Sequence, residues 1–477
     1  AMPPPGPRHE RTARTSAQDG TAVRPARWFL PSTIHPVREG NSAVGFITGE
    51  GYFADLAAAI RSAGGPGAFV ELANWDIRVD FLLVPGDPAS TLADLLTEAS
   101  ARGVVIRVLA CKHQEYPLWG GTFSGYDNRP AVEFVNALPT GAAIHDNRYL
   151  NTGTHHQKIA VVGTAGTLTA WSGGMDLNPD RLADSLTDRK YHDVQVRYSG
   201  PIAYDHHVVF AQRWMDNPDS EQLPPLPSVT PPPMEPRGTL QCQLVTTYGN
   251  GSVHTGIVPG RGATDPGYTF AHSGDQSILA LVRLALGKAR RFVYVEDQYL
   301  VDPVISGVLQ EALGRIERLV IVMPPTEEVN AELRQGWRRR AEFLEPLLAA
   351  APEKVAVVVS TTRYVHSKTW VIDDEFAIVG SANCNRRGYT HDSEASVGVY
   401  DTGDSGWVAT LRQALWAKHL GRPASELVDA LGSAHLFVTP PSSAVVSPYD
   451  VRGGTDAAVV GLDTDLAWTT LIDPDGS

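Results

Sequence analysis

One short pattern that occurs twice limits the fold of this chain more than any other feature of its sequence. His156 and Lys158 open the first copy, and His366 and Lys368 open the second copy 210 residues later. In both copies the His-x-Lys pair is followed by two short apolar runs joined by a short turn. Runs of this length and composition are typical of buried strands. The repeat therefore predicts two similar strand pairs, one in each half of the chain.

Each strand pair is predicted to place several polar groups in one cleft. Alternate side chains of a strand leave the same face, so the histidine and the lysine of each copy project together. The later copy ends at Ser381 and Asn383, and Asp176 stands at the position of Asn383 in the earlier copy. An imidazole, a fixed cation and hydrogen-bond donors suit a phosphoryl group, because its developing negative charge needs cations and donors.

These residues resemble the signature of the phospholipase D superfamily. The later copy contains all of it: His-x-Lys, four further residues, Asp373 and a trailing Gly-Ser-x-Asn that ends at Asn383. The segments around Asp193 and at residues 415–421 are also similar, so the resemblance covers roughly residues 40–425. Within the superfamily, the motifs look like those of a bacterial phospholipase D with eukaryotic-like motifs.

The order of the predicted elements agrees with a duplicated α/β fold. Helix, strand, helix, strand and signature follow one another in each half, which predicts mixed sheets flanked by helices. The resemblance implies two similar α/β halves related by internal duplication, with the active site at their interface. In chain order we expect a disordered N-terminal segment at residues 1–26, an N-terminal half with the first motif at 27–216, a Pro-rich linker at 217–238, a C-terminal half with the second motif at 239–437 and an irregular C-terminal tail at 438–477.

The resemblance also implies catalytic roles. His156 is expected to be the nucleophile that forms a phosphohistidine, and His366 the general acid and base; the reverse assignment stays open. Two histidines permit such a two-step path because a neutral imidazole attacks phosphorus near neutral pH. Asp193 is expected to orient His156, and Glu394 to orient His366, as carboxylates do in other catalytic triads.

The remaining site residues are implied to bind the substrate. Lys158, Lys368 and Asn383 are expected to hold the non-bridging oxygens of the phosphoryl group. A loop rich in aromatic residues and glycine at residues 116–126 could contact acyl chains or a ring, with an ordinary surface turn as the alternative. The expected substrate-binding residues are Asp176, Gln298, Ser381 and Trp119.

One position departs from the signature. Gly163 stands in the first copy where the second copy has Asp373. In the superfamily this Asp looks structural rather than chemical, so we expect the site to survive its loss. If the protein proved inactive, Gly163 would be the first residue to restore to Asp.

Composition and charge disfavour several classes of protein. The formal net charge of −13 disfavours a protein that wraps nucleic acid, since such binding depends on neutralising phosphates, and no nucleic-acid partner is expected. Cys111, Cys242 and Cys384 show no metal-ligand or disulfide spacing and are expected to be buried. No metal and no cofactor are predicted, because two lysines supply the charge that a metal supplies elsewhere.

Segments that would fix the location of the protein are not visible in the sequence. No apolar run is long enough to span a membrane, and no signal peptide is visible. We expect a soluble protein, with secretion preferred but the compartment undetermined, and a monomer, since the duplication supplies both motifs. Three consecutive arginines at residues 338–340 predict a solvated helix face, with anchoring of an anionic head group as the alternative.

The leading hypothesis is a phospholipase D that hydrolyses the distal phosphodiester of glycerophospholipids, with transfer to alcohols as an additional reaction. Its partners would be phospholipid at a membrane or micelle surface and water or an alcohol as acceptor. The alternatives are a phosphodiesterase or nuclease of the same superfamily that acts on a non-lipid phosphodiester, and an inactive binding homologue, which Gly163 suggests. A transferase similar to cardiolipin synthase is disfavoured by the lack of membrane segments. Fold alone does not choose among these functions.

Overall fold

The computed structural model of the chain describes residues 27–451 and Asp473, apart from residues 32, 114, 117–120, 123–125, 151, 165, 183–189, 232–233, 252–266, 326–335, 402 and 404. The predicted disordered segment at residues 1–26 lies outside the described residues. Trp119 and most of its aromatic loop lie outside them as well.

Short strands separated by helices make up most of the described chain. The strands are β1 (Arg38–Phe46), β2 (Phe69–Asn74), β3 (Val105–Cys111), β4 (Glu115–Tyr116), β5 (Gly121–Thr122), β6 (Gly141–Asp146), β7 (Ile159–Thr164), β8 (Thr167–Gly173), β9 (Tyr191–His192), β10 (Gln195–Ser199), β11 (Leu240–Tyr248), β12 (Asp275–Gln276), β13 (Phe292–Asp297), β14 (Arg318–Met323), β15 (Val355–Ser360), β16 (Tyr364–Val365), β17 (Lys368–Ile372), β18 (Phe376–Gly380), β19 (Glu394–Tyr400) and β20 (Val446–Pro448).

The helices are α1 (Gly49–Ser62), α2 (Leu92–Ala101), α3 (Arg129–Asn136), α4 (Ile202–Asp216), α5 (Ser277–Lys288), α6 (Pro303–Leu313), α7 (Gly336–Ala350), α8 (Arg386–Thr390), α9 (Trp407–Leu420) and α10 (Ala430–Ala434). The Thr91 hydroxyl caps α2 by accepting a hydrogen bond from the backbone N–H of Asp94 at 3.0 Å. Among the described residues, no helix is both long and apolar enough to cross a membrane.

One large mixed sheet runs through both halves of the molecule. At its centre β11 and β1 pair antiparallel. Outward from β11 the order is β19, β18, β17, β13, β14 and β15, and outward from β1 it is β10, β8, β7, β2, β3 and β6. In each half the last three of these strands are parallel and the others antiparallel. The predicted α/β fold is confirmed, and the two halves repeat the same strand order.

Apolar side chains leave both faces of this sheet, as a sheet covered on two sides requires. Along β2, Phe69 and Ala73 join one buried cluster, whereas Val70 and Leu72 join another. The first cluster contains residues of α4, α9 and both halves of the sheet, so the core is continuous across the centre. The outer clusters pack against α1 to α3 in one half and against α5 to α7 in the other. The three cysteines are buried, as predicted.

The predicted domain boundaries stay predictions, but the structure adds detail to the last segment. Within the predicted irregular tail, β20 pairs antiparallel with β15 and extends the sheet. Further along, the buried carboxylate of Asp473 accepts hydrogen bonds from the backbone N–H groups of Arg386 and Arg387. These two contacts tie the tail to the sheet and to the start of α8.

Candidate active site

The two His-x-Lys pairs meet at the junction of the halves. Lys158 precedes β7 and Lys368 begins β17, and these strands occupy equivalent positions in the two halves of the sheet. The ring centroids of His156 and His366 are therefore only 6.5 Å apart. Both lysines are buried, with exposed fractions of 1% and 3%. The structure thus brings together the four residues that the repeated pattern singled out.

Each histidine takes its carboxylate partner from the opposite half. His156 Nδ1 lies 2.9 Å from Glu394 Oε1, and His366 Nδ1 lies 2.7 Å from Asp193 Oδ2. The expectation that Asp193 orients His156 and Glu394 orients His366 is therefore wrong, although all four residues do form His–carboxylate pairs. The prediction followed order along the chain, whereas the pairs form across the interface.

Two short backbone bridges between the halves explain this crossing. The N–H of His156 donates to the carbonyl of Ser393 at 2.9 Å, and the N–H of His366 donates to the carbonyl of His192 at 2.8 Å. Ser393 and His192 each precede the carboxylate residue of the corresponding pair. Each bridge therefore delivers a carboxylate from one half to the histidine of the other.

The buried cleft favours neutral imidazoles. Burial, together with the nearby lysine charges, holds the pKa values of His156 and His366 well below their ordinary range. A neutral imidazole whose Nδ1–H is donated to a carboxylate keeps its other nitrogen as a base or nucleophile. Burial also lowers the pKa of Lys368 to about 8 and raises that of Glu394 to about 7. The site therefore contains an acid and a cation that both titrate near neutral pH.

Comparison with known proteins agrees with this geometry. The family model described as phospholipase D matches residues 333–434. Phospholipase D alpha 1 of Cynara cardunculus is 25% identical over 411 residues, a match that covers 59% of this chain and 50% of that protein. Cardiolipin synthase A of Escherichia fergusonii is 23% identical over 338 residues, covering 70% of this chain and 63% of that protein. The family match and these similar proteins support membership of the chain in the phospholipase D superfamily.

The chain spans half to two thirds of the length of these curated relatives. Among solved structures, the phosphatidylserine synthase of Haemophilus influenzae matches with a TM-score of 0.52 and 13% identity, covering 85% of this chain and 87% of that chain. At this identity the likeness concerns the fold alone. The mixed sheet with its flanking helices is thus a fold that this chain shares with that phosphatidylserine synthase.

The remaining predicted site residues among those described lie around the two histidine pairs. Asp176 is buried, accepts the backbone N–H groups of Trp75 and Asp76, and lies 3.4 Å from Lys158 Nζ. Gln298 accepts from Lys368 Nζ at 3.3 Å. The Ser381 hydroxyl donates to Glu394. Asn383 is 7% exposed, and its Oδ1 atom has no hydrogen-bond partner within the described part of the chain.

Arg181 is a buried cation of the site that sequence analysis missed. Its Nη2 lies 3.6 Å from Asp176 Oδ2, and its Nε lies 3.6 Å from Asp193 Oδ2. Its guanidinium also stacks over the ring of Tyr191 at 4.2 Å. Arg181 therefore links the counter-ion of Lys158 to the carboxylate partner of His366. Nothing in its local sequence distinguishes it from an exposed loop arginine, so only the packing identifies it.

The signature aspartate is structural in this protein. The Asp373 carboxylate accepts hydrogen bonds at 2.8–2.9 Å from the backbone N–H groups of Arg290, Arg291 and Phe292. In the first half a Cβ atom at Gly163 would lie 2.0 Å from Cε1 of Phe69. The phenyl ring therefore occupies the space that a side chain at Gly163 would need. The idea of restoring Asp at Gly163 is wrong for this steric reason.

The arginine run at residues 338–340 also differs from expectation. Arg340 is fully buried, and its guanidinium donates to the backbone carbonyls of Gln298, Tyr299 and Pro324. These bonds hold the loop that presents Gln298 to Lys368. The predicted solvated face is therefore wrong for Arg340, because its side chain turns inward and donates to three backbone carbonyls.

One group of histidine, cysteine or acidic side chains within the described part of the chain could hold a metal ion, namely His192, Glu296 and His419. Glu296 lies 2.6 Å from His192 Nε2 and 2.7 Å from His419 Nε2. Ligand atoms around a zinc ion, each about 2.0–2.2 Å from the metal, would be about 3 Å or more apart. The observed spacing is that of direct hydrogen bonds, so these residues fit a metal poorly.

Proposed function

We propose that this protein is a phospholipase D that cleaves the distal phosphodiester of glycerophospholipids to phosphatidate and a free head group, through a phosphohistidine intermediate. The observation that carries the proposal is the pair of facing His–carboxylate dyads with 6.5 Å between the imidazole centroids. A phosphorus between two imidazoles can be attacked from one side while the leaving oxygen receives a proton from the other. The names of the similar proteins, a phospholipase D and a cardiolipin synthase, support a phospholipid substrate.

In the first step we assign His156 as the nucleophile. Its Nδ1–H is held by Glu394, so Nε2 can form a bond to phosphorus while the bond from phosphorus to the head-group oxygen breaks. His366 gives its proton to that oxygen. The negative phosphodiester raises the proton affinity of His366 when it binds, and Asp193 stabilises the imidazolium.

In the second step His366 takes a proton from water or from an alcohol. The oxygen attacks phosphorus, the bond between phosphorus and His156 breaks, and phosphatidate or a new phosphatidyl ester leaves. Lys158 and Lys368 flank the imidazoles and, with Asn383, would stabilise the charge on the non-bridging oxygens. Hydrolysis and transphosphatidylation share this intermediate and differ only in the acceptor.

The test is head-group release from phosphatidylcholine vesicles and micelles, with and without ethanol and with excess chelator. We expect choline release and, with ethanol, phosphatidylethanol. His156→Ala and His366→Ala should each lower the rate by at least about 1,000-fold, as loss of a catalytic residue does elsewhere. His207→Ala, which removes a buried histidine bonded to Glu71, should retain activity in whatever fraction stays folded.

The outcomes separate chemistry from substrate. Cleavage of a soluble phosphodiester without release from any lipid would contradict the lipid substrate and keep the mechanism. No cleavage of either would favour the inactive binding homologue. The assignment of the nucleophile is tested by acid quenching and mass spectrometry, since His366→Ala should accumulate a phosphoryl adduct on His156, and an adduct on His366 in His156→Ala would reverse the assignment.

A further inference from the structure

The orientation of His366 depends on a short segment of the other half. Asp193 binds His366 Nδ1 at 2.7 Å and follows directly after β9. The segment is attached to the second half by the parallel pairing of β9 with β16. The backbone bonds of that pairing are those from Tyr364 N–H to the Lys190 carbonyl and from His366 N–H to the His192 carbonyl, each 2.8 Å. This ladder is short, and two paired strands are only marginally stable by themselves.

A buried side-chain cluster also anchors the same segment. His192, the neighbour of Asp193, lies 2.6 Å from Glu296 Oε2 in β13, and His419 in α9 lies 2.7 Å from Glu296 Oε1. The Tyr294 hydroxyl also donates to Glu296. These four residues are at most 2% exposed. The cluster thus connects the segment around β9 in the first half to β13 and α9 in the second half.

The charges of the cluster are arranged to keep it assembled. Burial lowers the pKa of His192 to about 4, so it stays neutral and donates through Nε2. Burial by itself would raise the pKa of Glu296, but His192 and His419 outweigh it and hold that pKa well below the ordinary range. The buried carboxylate of Glu296 has three hydrogen-bond donors, namely His192, His419 and Tyr294. Loss of one donor would leave part of its negative charge without a hydrogen bond, which is costly in a buried site.

We propose that His192, Glu296 and His419 form a positioning cluster that holds Asp193 in hydrogen-bonding contact with His366. The inference rests on the proposed function in assigning a catalytic use to His366. The cluster acts on the reaction through Asp193 and does not touch the reacting atoms. A shift of about 1 Å in such a second layer is enough to lower a catalytic rate about 100-fold.

His156 is supported by a separate set of contacts, so the proposal concerns His366 alone. Beside His156, the ring of His155 contacts the Ser393 hydroxyl through Nδ1 and lies 3.1 Å from Asp146 through Nε2. Ser393 precedes Glu394, just as His192 precedes Asp193. Each dyad therefore has its own buried His–carboxylate support. Disturbing His192 should affect His366 and leave His156 unchanged.

The test compares His192→Leu, which removes the donor, with His192→Gln, whose amide can still donate to Glu296. We expect His192→Leu to lower kcat about 10- to 100-fold with KM changed less than about threefold, and His192→Gln to recover most of the loss. A second readout needs no substrate: the pH dependence of carbethoxylation of His366 and His156, resolved by mass spectrometry. In His192→Leu the apparent pKa of His366 should fall, because Asp193 no longer stabilises its charged form, and that of His156 should stay unchanged.

The matched control is His207→Leu, which breaks another buried His–Glu pair, from His207 to Glu71 at 2.9 Å. It should lower thermal stability without changing the titration of His366. If His192→Leu does not fold, Glu296→Gln replaces it, because it keeps the shape and removes the charge. The carbethoxylation readout stays informative even if no lipid is cleaved, so failure of the proposed function is distinguishable.

Two results would overturn the inference. One is an unchanged titration of His366 in folded His192→Leu or Glu296→Gln. The other is a stoichiometric metal ion in the purified protein, measured by elemental mass spectrometry and lost in His192→Leu, which would make the cluster a metal site.

Discussion

At the scale of single residues, burial sets the protonation of the site more than any one charge does. The cleft keeps both imidazoles neutral, and it moves an acid and a cation toward neutral pH. In the proposed mechanism Glu394 is ionised, so that it stabilises positive charge on His156, and Lys368 is protonated, so that it binds a phosphoryl oxygen. The proposed mechanism therefore requires one group to be deprotonated and the other to be protonated.

We predict a bell-shaped dependence of kcat/KM on pH. The pKa of Glu394 is raised to about 7, so activity should be lost as pH falls through that value. The pKa of Lys368 is lowered to about 8, so activity should be lost again as pH rises through that value. Rates measured on vesicles across this window check the prediction. In Lys368→Arg, whose charge does not titrate, the alkaline limb should vanish from the remaining activity, and a flat wild-type profile would contradict the assignment.

Gly163 illustrates how one residue can be fixed by its neighbour. Phe69 fills the space beside it, so Gly163→Asp requires movement of a packed ring and burial of a carboxylate. We expect a loss of about 2–4 kcal/mol in the free energy of unfolding, from overpacking and an unpaired charge together. Urea unfolding of the variant and of the wild-type protein measures this difference in the free energy of unfolding. Gly287→Asp, at a position in α5 with open space around it, should cost much less, and equal losses would argue against the steric account.

At the scale of elements, side chains from one part of the chain bind the backbone groups at the end of a strand or helix in another part. Asp373 satisfies three successive backbone N–H groups where the chain enters β13. Asp473 does the same for two N–H groups at the start of α8. Arg340 in α7 holds the loop after β13 through three carbonyls. The sequence shows these elements by their periodicity but gives no signal for the bonds between them.

Replacing Asp373 should therefore affect folding more than chemistry. Asp373→Ala leaves three buried or half-buried N–H groups without an acceptor, at about 1–3 kcal/mol for each group that water cannot reach. We expect a fall of about 3 kcal/mol or more in the free energy of unfolding, while KM of the folded fraction stays within about twofold. Asp373→Asn keeps one acceptor oxygen and should lose less. A large rise in KM without loss of stability would indicate a direct role in substrate binding.

At the scale of the whole molecule, the crossed dyads make each half incomplete without the other. Each half supplies a histidine to its own motif and a carboxylate to the motif of its partner. The shared core beneath α4 and α9 fixes the two halves in one body. The site is therefore a property of the interface and not of either half.

The crossing predicts which histidine each carboxylate controls. Asp193→Asn should lower the apparent pKa of His366 and leave that of His156 unchanged. Glu394→Gln should lower the apparent pKa of His156 and leave that of His366 unchanged. Carbethoxylation of the two histidines against pH measures both values in one experiment. Wild-type protein and His207→Leu serve as references for intact and merely destabilised protein. The opposite pattern would mean that the dyads form within each half.

Much of the molecule follows from the sequence alone. The repeat of His156-x-Lys158 at His366-x-Lys368 predicted the strand pairs, which the structure contains, and four residues that the structure brings together, because local periodicity and spacing carry that information. The strand β1, with its glycine, asparagine and serine residues, was missed since its residues have low strand propensity and its pairing with β11 is long-range.

The tertiary structure alone decided how the two motifs cooperate. The dyads join residues 173 and 238 positions apart, and their partners depend on which segments cross the interface. Arg181 and the cluster around Glu296 are buried, and the cluster takes its side chains from both halves. A sequence pattern fixes which face a side chain takes within its own element. The docking of the halves determines what that face meets, because it depends on packing among residues that are far apart in the chain.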